Sequence, residues 1–368
     1  MTRKATALDV AHRAGVSRSA VSLVLNGRGD GNVAKEAQER ILAAAAELSY
    51  TPNAIARSLR DRRSRVIGLV SDEAVTSPFD GEIIAGADAL ARSHGFVTLA
   101  TDTEQDAGRD LDAVRTLLDR QVDGLIYVTV GLHELHVPRG MLSVPSALAN
   151  CYAAPDSPPG SAALPSIQPD EVRGGHDAAA HLIRLGHRRI AFLGGLYSSP
   201  AVALREAGFR AAMAEAGLPV REEWVIEAGW DFAPGHHAAT ALLSAPPEER
   251  PTALLAGNDR AAVGMVLAAA RLGLEVPRDV SIMGYDNERR VAEVMVPPLS
   301  TVALPLRTIG EEAMRAVLAA LDAGGPLLSR TTAGGGSGTP PAEPLLVPCT
   351  LVERESTGPA AASNQRSA

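Results

Sequence analysis

One short stretch near the start of the chain carries side chains suited to contacts with nucleic-acid bases. Arg18 has a guanidinium that can bind the O6 and N7 atoms of guanine together, which discriminates against other bases by about 1–3 kcal/mol. Ser19 can donate or accept a hydrogen bond, whereas Leu23 offers only apolar contact, for example to a thymine methyl group. Ser22 and Asn26 stand nearer the edge of this set. Together these residues predict base recognition, provided that a helix presents them on one exposed face.

Two predicted helices would position these side chains. Thr6 and Asp9 have the spacing of a capping box, so a helix is predicted to begin directly after Thr6. Gly15 interrupts this helix, and Ser17 can cap a second helix over residues 18–25. Two short helices joined by a glycine-containing turn are typical of a helix-turn-helix, whose second helix enters the major groove of DNA.

An alanine-rich helical hairpin with no DNA-binding role is the alternative for this stretch. Ala11 is small where the two helices would cross, and Gly15 suits the turn between them. Val16, Val21 and Val24 are apolar where the pair must pack. Because the small, glycine and branched positions all agree, the pattern favours the helix-turn-helix.

The charge of the chain is divided unevenly along its length. The formal net charge is −8, but residues 1–65 carry 12 basic against 6 acidic residues, a net of +6. Residues 66–368 carry 23 against 37, a net of −14. A basic head on an acidic body predicts that the head meets a polyanion and the body does not.

Length and composition exclude several broad classes of protein. At about 150 residues per domain, 368 residues indicate two or three domains. No apolar run approaches the roughly 18 residues of a membrane span, and the first residues do not resemble a signal peptide. Cys151 and Cys349 are too few and too far apart for a disulfide framework or a zinc site. We therefore expect a cytoplasmic protein, associated with the nucleoid when DNA-bound, with no membrane partner.

Beyond residue 65 the chain alternates between strand-like and helix-like segments. In the first half, residues 66–71 and 124–130 read as strands and residues 82–92 as a helix. In the second half, a helix over 172–185 precedes a strand over 189–193. Short apolar runs alternating with amphipathic helices indicate parallel sheets. We predict an α/β body of two doubly wound subdomains with a ligand crevice between them.

Motifs of enzymatic chemistry are missing from the sequence. It contains no phosphate-binding loop, no nucleophile elbow and no zinc-protease motif. His133 and His136 lie three residues apart without a clear third ligand, so a solvated loop is the preferred interpretation. We therefore predict no enzyme activity, no catalytic or metal-binding residues and no cofactor. A sugar-binding transport protein without a DNA role is a second alternative, which the basic head disfavours.

The motifs of head and body resemble one known family. Residues 8–27 are similar to the DNA-binding segment of the lactose-repressor/galactose-repressor (LacI/GalR) family of bacterial transcription regulators. Residues 39–60 resemble its third helix, connection and hinge helix. Matching body motifs follow in order: VDGLI at 122–126, HLIRLGHRRIAFLGG at 181–195, LREAGF at 204–209, GNDRAAVG at 257–264, VPRDVSIMGYDN at 276–287 and PPLSTV at 297–302. The resemblance implies a small all-α helix-turn-helix head and a body with the periplasmic sugar-binding-protein fold.

The resemblance assigns further residues to DNA binding. Asn53 would cap a hinge helix, Leu59 would wedge into the minor groove, and Ala56 and Arg57 would approach that groove. The expected DNA-binding residues are Thr6, Ser17, Arg18, Ser19, Ser22, Leu23, Asn26, Asn53, Ala56, Arg57 and Leu59. One departure is Ala34, which stands where family members often have a serine cap.

The resemblance also implies a set of effector-binding residues. They are Asn150 after a strand, Arg205, Trp230, Asn258 and Asp286, with Ser77 and Phe79 on a cleft-lining loop. Structural alternatives stay open for most of them. Asp286 can cap a turn, Arg205 can be an ordinary surface residue, and Trp230 can pack in the core. Asn258 and Asp259 can form a helix cap, which is the preferred interpretation of Asp259.

The expected domain order follows from these assignments. We predict a helix-turn-helix domain over 1–52, a hinge and linker over 53–64, a body over 65–357 and a flexible tail over 358–368. Within the body, the first subdomain is expected at about 65–167 and 298–325, and the second at about 168–297 and 326–357.

The resemblance further implies a sequence-specific regulator of transcription. We expect a homodimer, with a tetramer as an alternative, on a pseudo-palindromic operator in double-stranded DNA. A repressor of a carbohydrate-utilisation operon with a sugar or sugar derivative as effector is the leading expectation. A regulator that responds to a nucleobase or nucleoside, or one that activates, remains an alternative.

Overall fold

A computed structural model describes residues 5–50, 63–73, 78–324 and 342–360, with the backbone alone for 78–80. The chain forms two compact units, residues 1–65 and residues 66–368, which we call the head and the body. Across these described ranges, no helix combines the length and the apolar character that crossing a bilayer requires.

The described part of the head consists of α1 (Ala7–Ala14), α2 (Arg18–Leu25) and α3 (Lys35–Glu47). Thr6 forms the predicted capping box at the start of α1, and the Ser17 hydroxyl accepts the Ala20 N–H at the start of α2. Gly15 ends α1 in the left-handed conformation. Ala34 makes no side-chain cap on α3, as its residue type predicts. The predicted extents of the first two helices are confirmed.

A small apolar core holds the three head helices together. Val10, Val21 and Ile41, one from each helix, are fully buried. Ala11 and Ala44 are buried beside them, where small side chains let the helices approach. Because the apolar residues of α2 point inward, its polar residues are left on the opposite face.

The body alternates strands and helices along most of its length. Its elements are β1 (Val66–Ser71), α4 (Pro78–Ser93), β2 (Val97–Asp102), α5 (Ala107–Asp119), β3 (Gly124–Leu135), β4 (Ser146–Ala153), β5 (Ser166–Pro169), α6 (Glu171–Arg184), β6 (Ile190–Gly194), α7 (Pro200–Glu215), β7 (Val225–Glu227), α8 (Phe232–Leu243), β8 (Ala253–Ala256), α9 (Asp259–Arg271), β9 (Ser281–Met283), α10 (Arg289–Ala292), β10 (Thr301–Ala303), α11 (Leu306–Asp322), β11 (Leu345–Val347) and β12 (Thr350–Val352).

Two parallel sheets organise these elements. Among the described residues the first sheet has the order β11–β5–β4–β3–β1–β2, and the second has the order β7–β6–β8–β9. All strand pairs within both sheets are parallel, whereas β10 and β12 form a separate antiparallel pair. The predicted architecture of two parallel α/β sheets is confirmed.

Helices cover both faces of each sheet, which explains the apolar strand sequences. In β3, Ile126 faces the core formed with α4 and α11, whereas Leu125 and Tyr127 face the core formed with α5. In β6, Leu193 faces the core formed with α8 and α9, whereas Phe192 faces the core formed with α6 and α7. Because both faces are buried, these strands read as continuous rather than alternating apolar runs.

Two short segments near the end of the chain, residues 345–347 and 358–360, lie elsewhere than the expected domain boundaries place them. Residues 326–357 were assigned to the second subdomain, but β11 pairs in parallel register with β5 in the first sheet. The expected flexible tail begins at residue 358, but the Gly358 N–H donates to the Ser281 hydroxyl and the Ala360 N–H donates to Leu185 O, while residues 361–368 lie outside the described residues. Both contacts are long-range pairings, which local sequence patterns do not encode.

A buried histidine forms hydrogen bonds that link Gly358, near the end of the described residues, to the second sheet. The ring of His187, which is 2% exposed, lies 3.0 Å from the Thr252 hydroxyl, 3.0 Å from the Ser281 hydroxyl and 3.1 Å from Gly358 O. Burial lowers the pKa of His187, although the hydrogen bond to Gly358 opposes that shift. The folded body therefore holds this imidazole in its neutral form.

This histidine is expected to make stability depend on pH. The unfolded chain takes up the proton near the ordinary pKa of 6.5, while the folded chain resists it, so the His187 contribution is present above that pH and falls as acid is added. We expect the unfolding free energy to drop more steeply between about pH 7.5 and pH 5.5 in the natural chain than in His187→Gln. Urea unfolding at both pH values measures this difference. Replacement of the exposed His94 by Gln serves as the surface control, and equal slopes in the natural chain and His187→Gln would contradict the assignment.

Candidate functional site

A cavity of about 540 Å³ lies where the carboxyl ends of strands from both sheets converge. In open α/β sheets this is the position at which ligands bind. Five predicted effector residues line the cavity, namely Asn150, Arg205, Trp230, Asn258 and Asp286. Ser77 and the side chain of Phe79 lie outside the described residues. We call this cavity the cleft.

An ion cluster forms the floor of the cleft. The Arg205 guanidinium donates from Nε to Glu171 Oε2 at 2.9 Å and from Nη2 to Glu171 Oε1 at 2.8 Å. Its Nη1 donates to Gly257 O and lies 3.5 Å from Asp286 Oδ1. The guanidinium also stacks 3.8 Å from the Tyr285 ring centroid. Arg205 is 5% exposed, so the alternative of an ordinary surface residue is wrong.

The close packing of α6 on α7 brings this cluster together. A Cβ atom at Gly175 would collide with the backbone oxygen of Arg205, and one at Gly208 would collide with Val172 O. Two glycines thus let the helix backbones touch, so that Glu171 in the first turn of α6 faces Arg205 in α7. Burial opposes protonation of Arg205, but the adjacent Glu171 carboxylate outweighs it and raises the pKa of the guanidinium.

One carboxyl group of the cluster, that of Asp286, and a nearby one, that of Asp259, have raised pKa values. Burial raises the pKa of Asp286 well above its ordinary value, although the nearby Arg205 opposes the shift. Burial also raises the pKa of Asp259 to about 7, against hydrogen bonds from the Thr301 hydroxyl and the Glu288 backbone N–H. Asp259 is thus tied to β10 and does not cap its helix, so that interpretation is wrong.

Asn258 is both a helix cap and a residue of the cleft wall. Its Oδ1 accepts the Ala261 N–H at 2.8 Å, which caps α9, and its Nδ2 donates to Trp230 O at 2.9 Å. The helix-cap alternative is therefore correct for Asn258, although the residue still lines the cleft.

Asn150 offers an unsatisfied acceptor. It lies within β4 rather than after it, with a φ of 63° that is uncommon for a residue other than glycine. Its Nδ2 donates to Thr129 O at 3.0 Å, while no residue in the described part of the chain donates to Oδ1. The residue is 3% exposed and lines the cleft. An acceptor buried in this way is costly unless something donates to it, so the site favours a ligand that supplies a donor.

Trp230 is shared between the core and the cleft. Its ring is half-buried, packs against the core between α6, α7 and the second sheet, and stands 6.0 Å from Arg205 Cζ. A Cβ atom at Gly195 would collide with this ring. Both interpretations of Trp230 therefore hold in part, because one face packs while the other borders the cleft.

Several residues of the cleft wall were not predicted from the sequence. Those with side chains able to hydrogen-bond are Glu73, Gln105, His133, Glu171, Ser198, Ser199 and Arg260. His133 was expected in a solvated loop with His136, but β3 continues to Leu135 and includes it. Its Nε2 lies 3.5 Å from Asp72 Oδ2, and burial lowers its pKa. The described residues contain no group of three or more His, Cys, Asp or Glu placed to hold a metal.

The recognition face of the head is the outer face of α2. Arg18 and Ser19 are exposed, and Ser22, Leu23 and Asn26 are half-buried outside the small core. Asn26 donates from Nδ2 to the Ser22 carbonyl, which fixes its side chain at the end of the helix. The five side chains with base-contacting chemistry thus lie along one side of the helix.

The remaining residues assigned to DNA binding divide into two groups. Thr6 and Ser17 use their hydroxyls as helix caps, and the exposed Ser17 stands at the start of the recognition face. The predicted hinge residues Asn53, Ala56, Arg57 and Leu59 lie outside the described residues.

Two family models match the chain in separate regions. Residues 6–53 match the bacterial regulatory proteins of the lacI family, and residues 179–357 match the periplasmic binding protein-like domain. The first match includes the three helices of the head, and the second begins within α6 and continues through the later elements of the body.

Relatives and solved structures cover nearly the whole chain. The ribose operon repressor of Escherichia coli K12 is 35% identical over 84% of this chain and 91% of its own length. The HTH-type transcriptional repressor PurR of Vibrio campbellii is 35% identical over 85% of this chain and 91% of its own length. A lac repressor dimer bound to operator and the anti-inducer ONPF superposes with a TM-score of 0.71 and 28% identity, covering 97% of this chain and 100% of that one.

A helix-turn-helix head followed by a body with two parallel sheets and a ligand cleft defines a DNA-binding regulator of transcription, not an enzyme. The chain belongs to the LacI family of bacterial transcriptional regulators.

Proposed function

We propose that this regulator is a dimeric repressor of a carbohydrate-utilisation operon, released or recruited by a small sugar-like effector bound in the cleft. The similarity to the ribose operon repressor supports a carbohydrate role, and the similarity to the operator-bound lac repressor dimer supports the dimer. A two-fold dimer binds a pseudo-palindromic operator, one half-site for each α2.

The chemistry of the residues that line the cleft is the observation that supports a sugar-like effector. A polyhydroxylated ligand needs acceptors for its hydroxyl protons and an apolar surface for its ring. Asn150 Oδ1 and the Asp286 carboxyl supply acceptors, and the Trp230 ring supplies the apolar surface. Trp230 is the one indole or phenyl ring among the described lining side chains, whereas a nucleobase would be held better between two such faces.

Effector binding would act on DNA through the two subdomains. The chain passes between them at three described places: between β5 and α6, between β10 and α11, and between β11 and β12. A ligand that binds groups of both subdomains, such as Asn150 and Asp286, favours the closed arrangement over the open one. A difference of about 1–3 kcal/mol in ligand affinity between the two arrangements is enough to change operator binding measurably.

The test is a gel shift with the full chain and the DNA upstream of its own gene. We expect a saturable complex whose midpoint shifts when a neutral sugar from a panel is added, and in vitro transcription that falls when the protein is bound. Asp286→Asn should keep operator affinity and lose the effect of the sugar, because it removes one cleft carboxyl.

Three results would contradict the proposal. A complex that responds only to a nucleoside would replace the sugar by the alternative effector class. Transcription that rises on binding would indicate an activator. Absence of any specific complex with operator-containing DNA would contradict the regulator assignment at this locus.

A further inference from the structure

Each arginine in the described wall of the cleft is already paired with a carboxylate of the protein. Arg205 Nε and Nη2 both donate to the Glu171 carboxylate, at 2.9 Å and 2.8 Å. Its Nη1 donates to Gly257 O and lies near Asp286 Oδ1. Arg260 Nε lies 3.1 Å from Glu288 Oε2. The fork of Arg205 that would receive a phosphate or a carboxylate is therefore occupied by Glu171, and Arg260 is paired with Glu288.

The other lining groups that the structure describes do not supply a positive charge. His133 lies 3.5 Å from Asp72 Oδ2, and burial lowers its pKa, so the ring is neutral near pH 7. Asn150 presents an unsatisfied Oδ1, which is an acceptor that needs a donor. Glu73 adds a further carboxylate to the described wall. The cleft thus offers acceptors and paired cations.

We propose that the effector is an uncharged polyol and that Glu171 is the residue that excludes phosphorylated and carboxylated ligands. This inference rests on the proposed function, since it narrows the class of effector bound in the same cleft. Glu171 occupies the fork of Arg205 and is one of the residues that line the cleft.

The exclusion follows from the electrostatics of a buried ion pair. An anion that enters must displace Glu171 from Arg205 or lie beside the Glu171 carboxylate, and both arginines of the described wall are already paired with carboxyl groups of the protein. Like charges brought together in a desolvated site oppose binding strongly. A hydroxyl group has no such cost, because it can donate to Asn150 Oδ1 or Asp286 and leave the ion cluster intact.

The first test removes the excluding charge and uses inorganic phosphate as the probe. Thermal unfolding of the full chain is followed against phosphate at constant ionic strength. We expect Glu171→Ala, which frees the fork of Arg205, to show a saturable rise in melting temperature, while the natural chain shows none. Glu171→Asp keeps the charge and serves as the matched control, which should behave as the natural chain does.

A second variant and a second measurement protect this test against loss of folding. Glu171→Gln removes the charge and keeps the size, so it replaces Glu171→Ala if the latter does not fold. With the natural chain, matched pairs of glucose and glucose 6-phosphate, ribose and ribose 5-phosphate, and galactose and galacturonate are compared by calorimetry. We expect each anionic member to bind about 100-fold or more weakly than its neutral counterpart.

The outcomes separate this inference from the proposed function. Tighter binding of a phosphorylated or carboxylated member, or a natural chain that responds to phosphate as Glu171→Ala does, would overturn the exclusion even if sugars still control DNA binding. A folded Glu171→Ala that ignores phosphate would overturn the role of Glu171. A panel without any binding would count against the sugar effector, while the phosphate response still decides the role of Glu171.

Discussion

Replacement of Arg205 by alanine is expected to destabilise the body by about 3–5 kcal/mol, the usual cost of removing one partner of a buried ion pair. Glu171 is 2% exposed and would lose two hydrogen bonds from the guanidinium. Asp286, whose Oδ1 lies 3.5 Å from Arg205 Nη1, would lose this cation as well. Two carboxyl groups would then stand together in a buried site without a counter-charge. Urea unfolding near pH 7 measures the loss.

Two comparisons isolate the charge effect from the loss of side-chain packing. Glu171→Gln added to Arg205→Ala should recover part of the loss, because a neutral amide takes the place of the stranded carboxylate. Arg92→Ala is the surface control, since Arg92 is 69% exposed in its 3.1 Å pair with Asp88 and should cost at most about 0.5 kcal/mol. If Arg205→Ala costs no more than Arg92→Ala, the ion cluster is not what holds α6 on α7.

The helix limits of the head could be predicted because helix caps and turns depend on residues close together in the sequence. The capping box of Thr6, the cap of Ser17 and the turn at Gly15 all act within four residues, so the sequence contains them directly. The absent cap at Ala34 is equally local and was also predicted. Where the folding information lies within one turn of helix, residue type and spacing suffice.

Only some residues of the cleft could be predicted from the sequence, because the geometry of the cleft depends on long-range contacts. Resemblance to the family located Arg205 and Asp286, and the structure brings both into one cavity. It did not indicate Glu171, since an acidic residue in the first turn of a helix is ordinary on dipole grounds alone. Its pairing with Arg205, which lies 34 residues later in the chain, depends on the close approach of α6 and α7, which Gly175 and Gly208 permit.

Other elements escaped prediction for a related reason. Asn150 was expected after a strand, but β4 continues past it with one residue in the left-handed conformation, a local exception to strand geometry. β11 has three residues, and its pairing with β5 places it in the first sheet. Strands this short carry little periodicity, so their position is set by tertiary pairing and not by their own sequence.

Replacement of Arg18 by alanine is expected to reduce specific DNA binding by about 1–3 kcal/mol in each half-site, hence about 2–6 kcal/mol in the proposed dimer. Arg18 is exposed at the first position of α2, the end of a recognition helix that points into the major groove. A bidentate contact to guanine distinguishes one base pair, so its loss acts on the operator and hardly on random DNA. Gel-shift titration against the operator and a scrambled duplex, at one salt concentration, gives the ratio of the two affinities.

A second arginine of the head distinguishes base recognition from simple loss of charge. Arg13 in α1 is 57% exposed and pairs with Glu47 at 2.8 Å, outside the recognition face. Arg13→Ala removes the same charge as Arg18→Ala and should weaken binding to both duplexes about equally, leaving the affinity ratio unchanged. Because phosphate contacts carry no sequence information, only a base contact lowers the ratio. Equal losses on operator and scrambled DNA in Arg18→Ala would therefore show that Arg18 contacts the backbone and that another residue of the face reads the sequence.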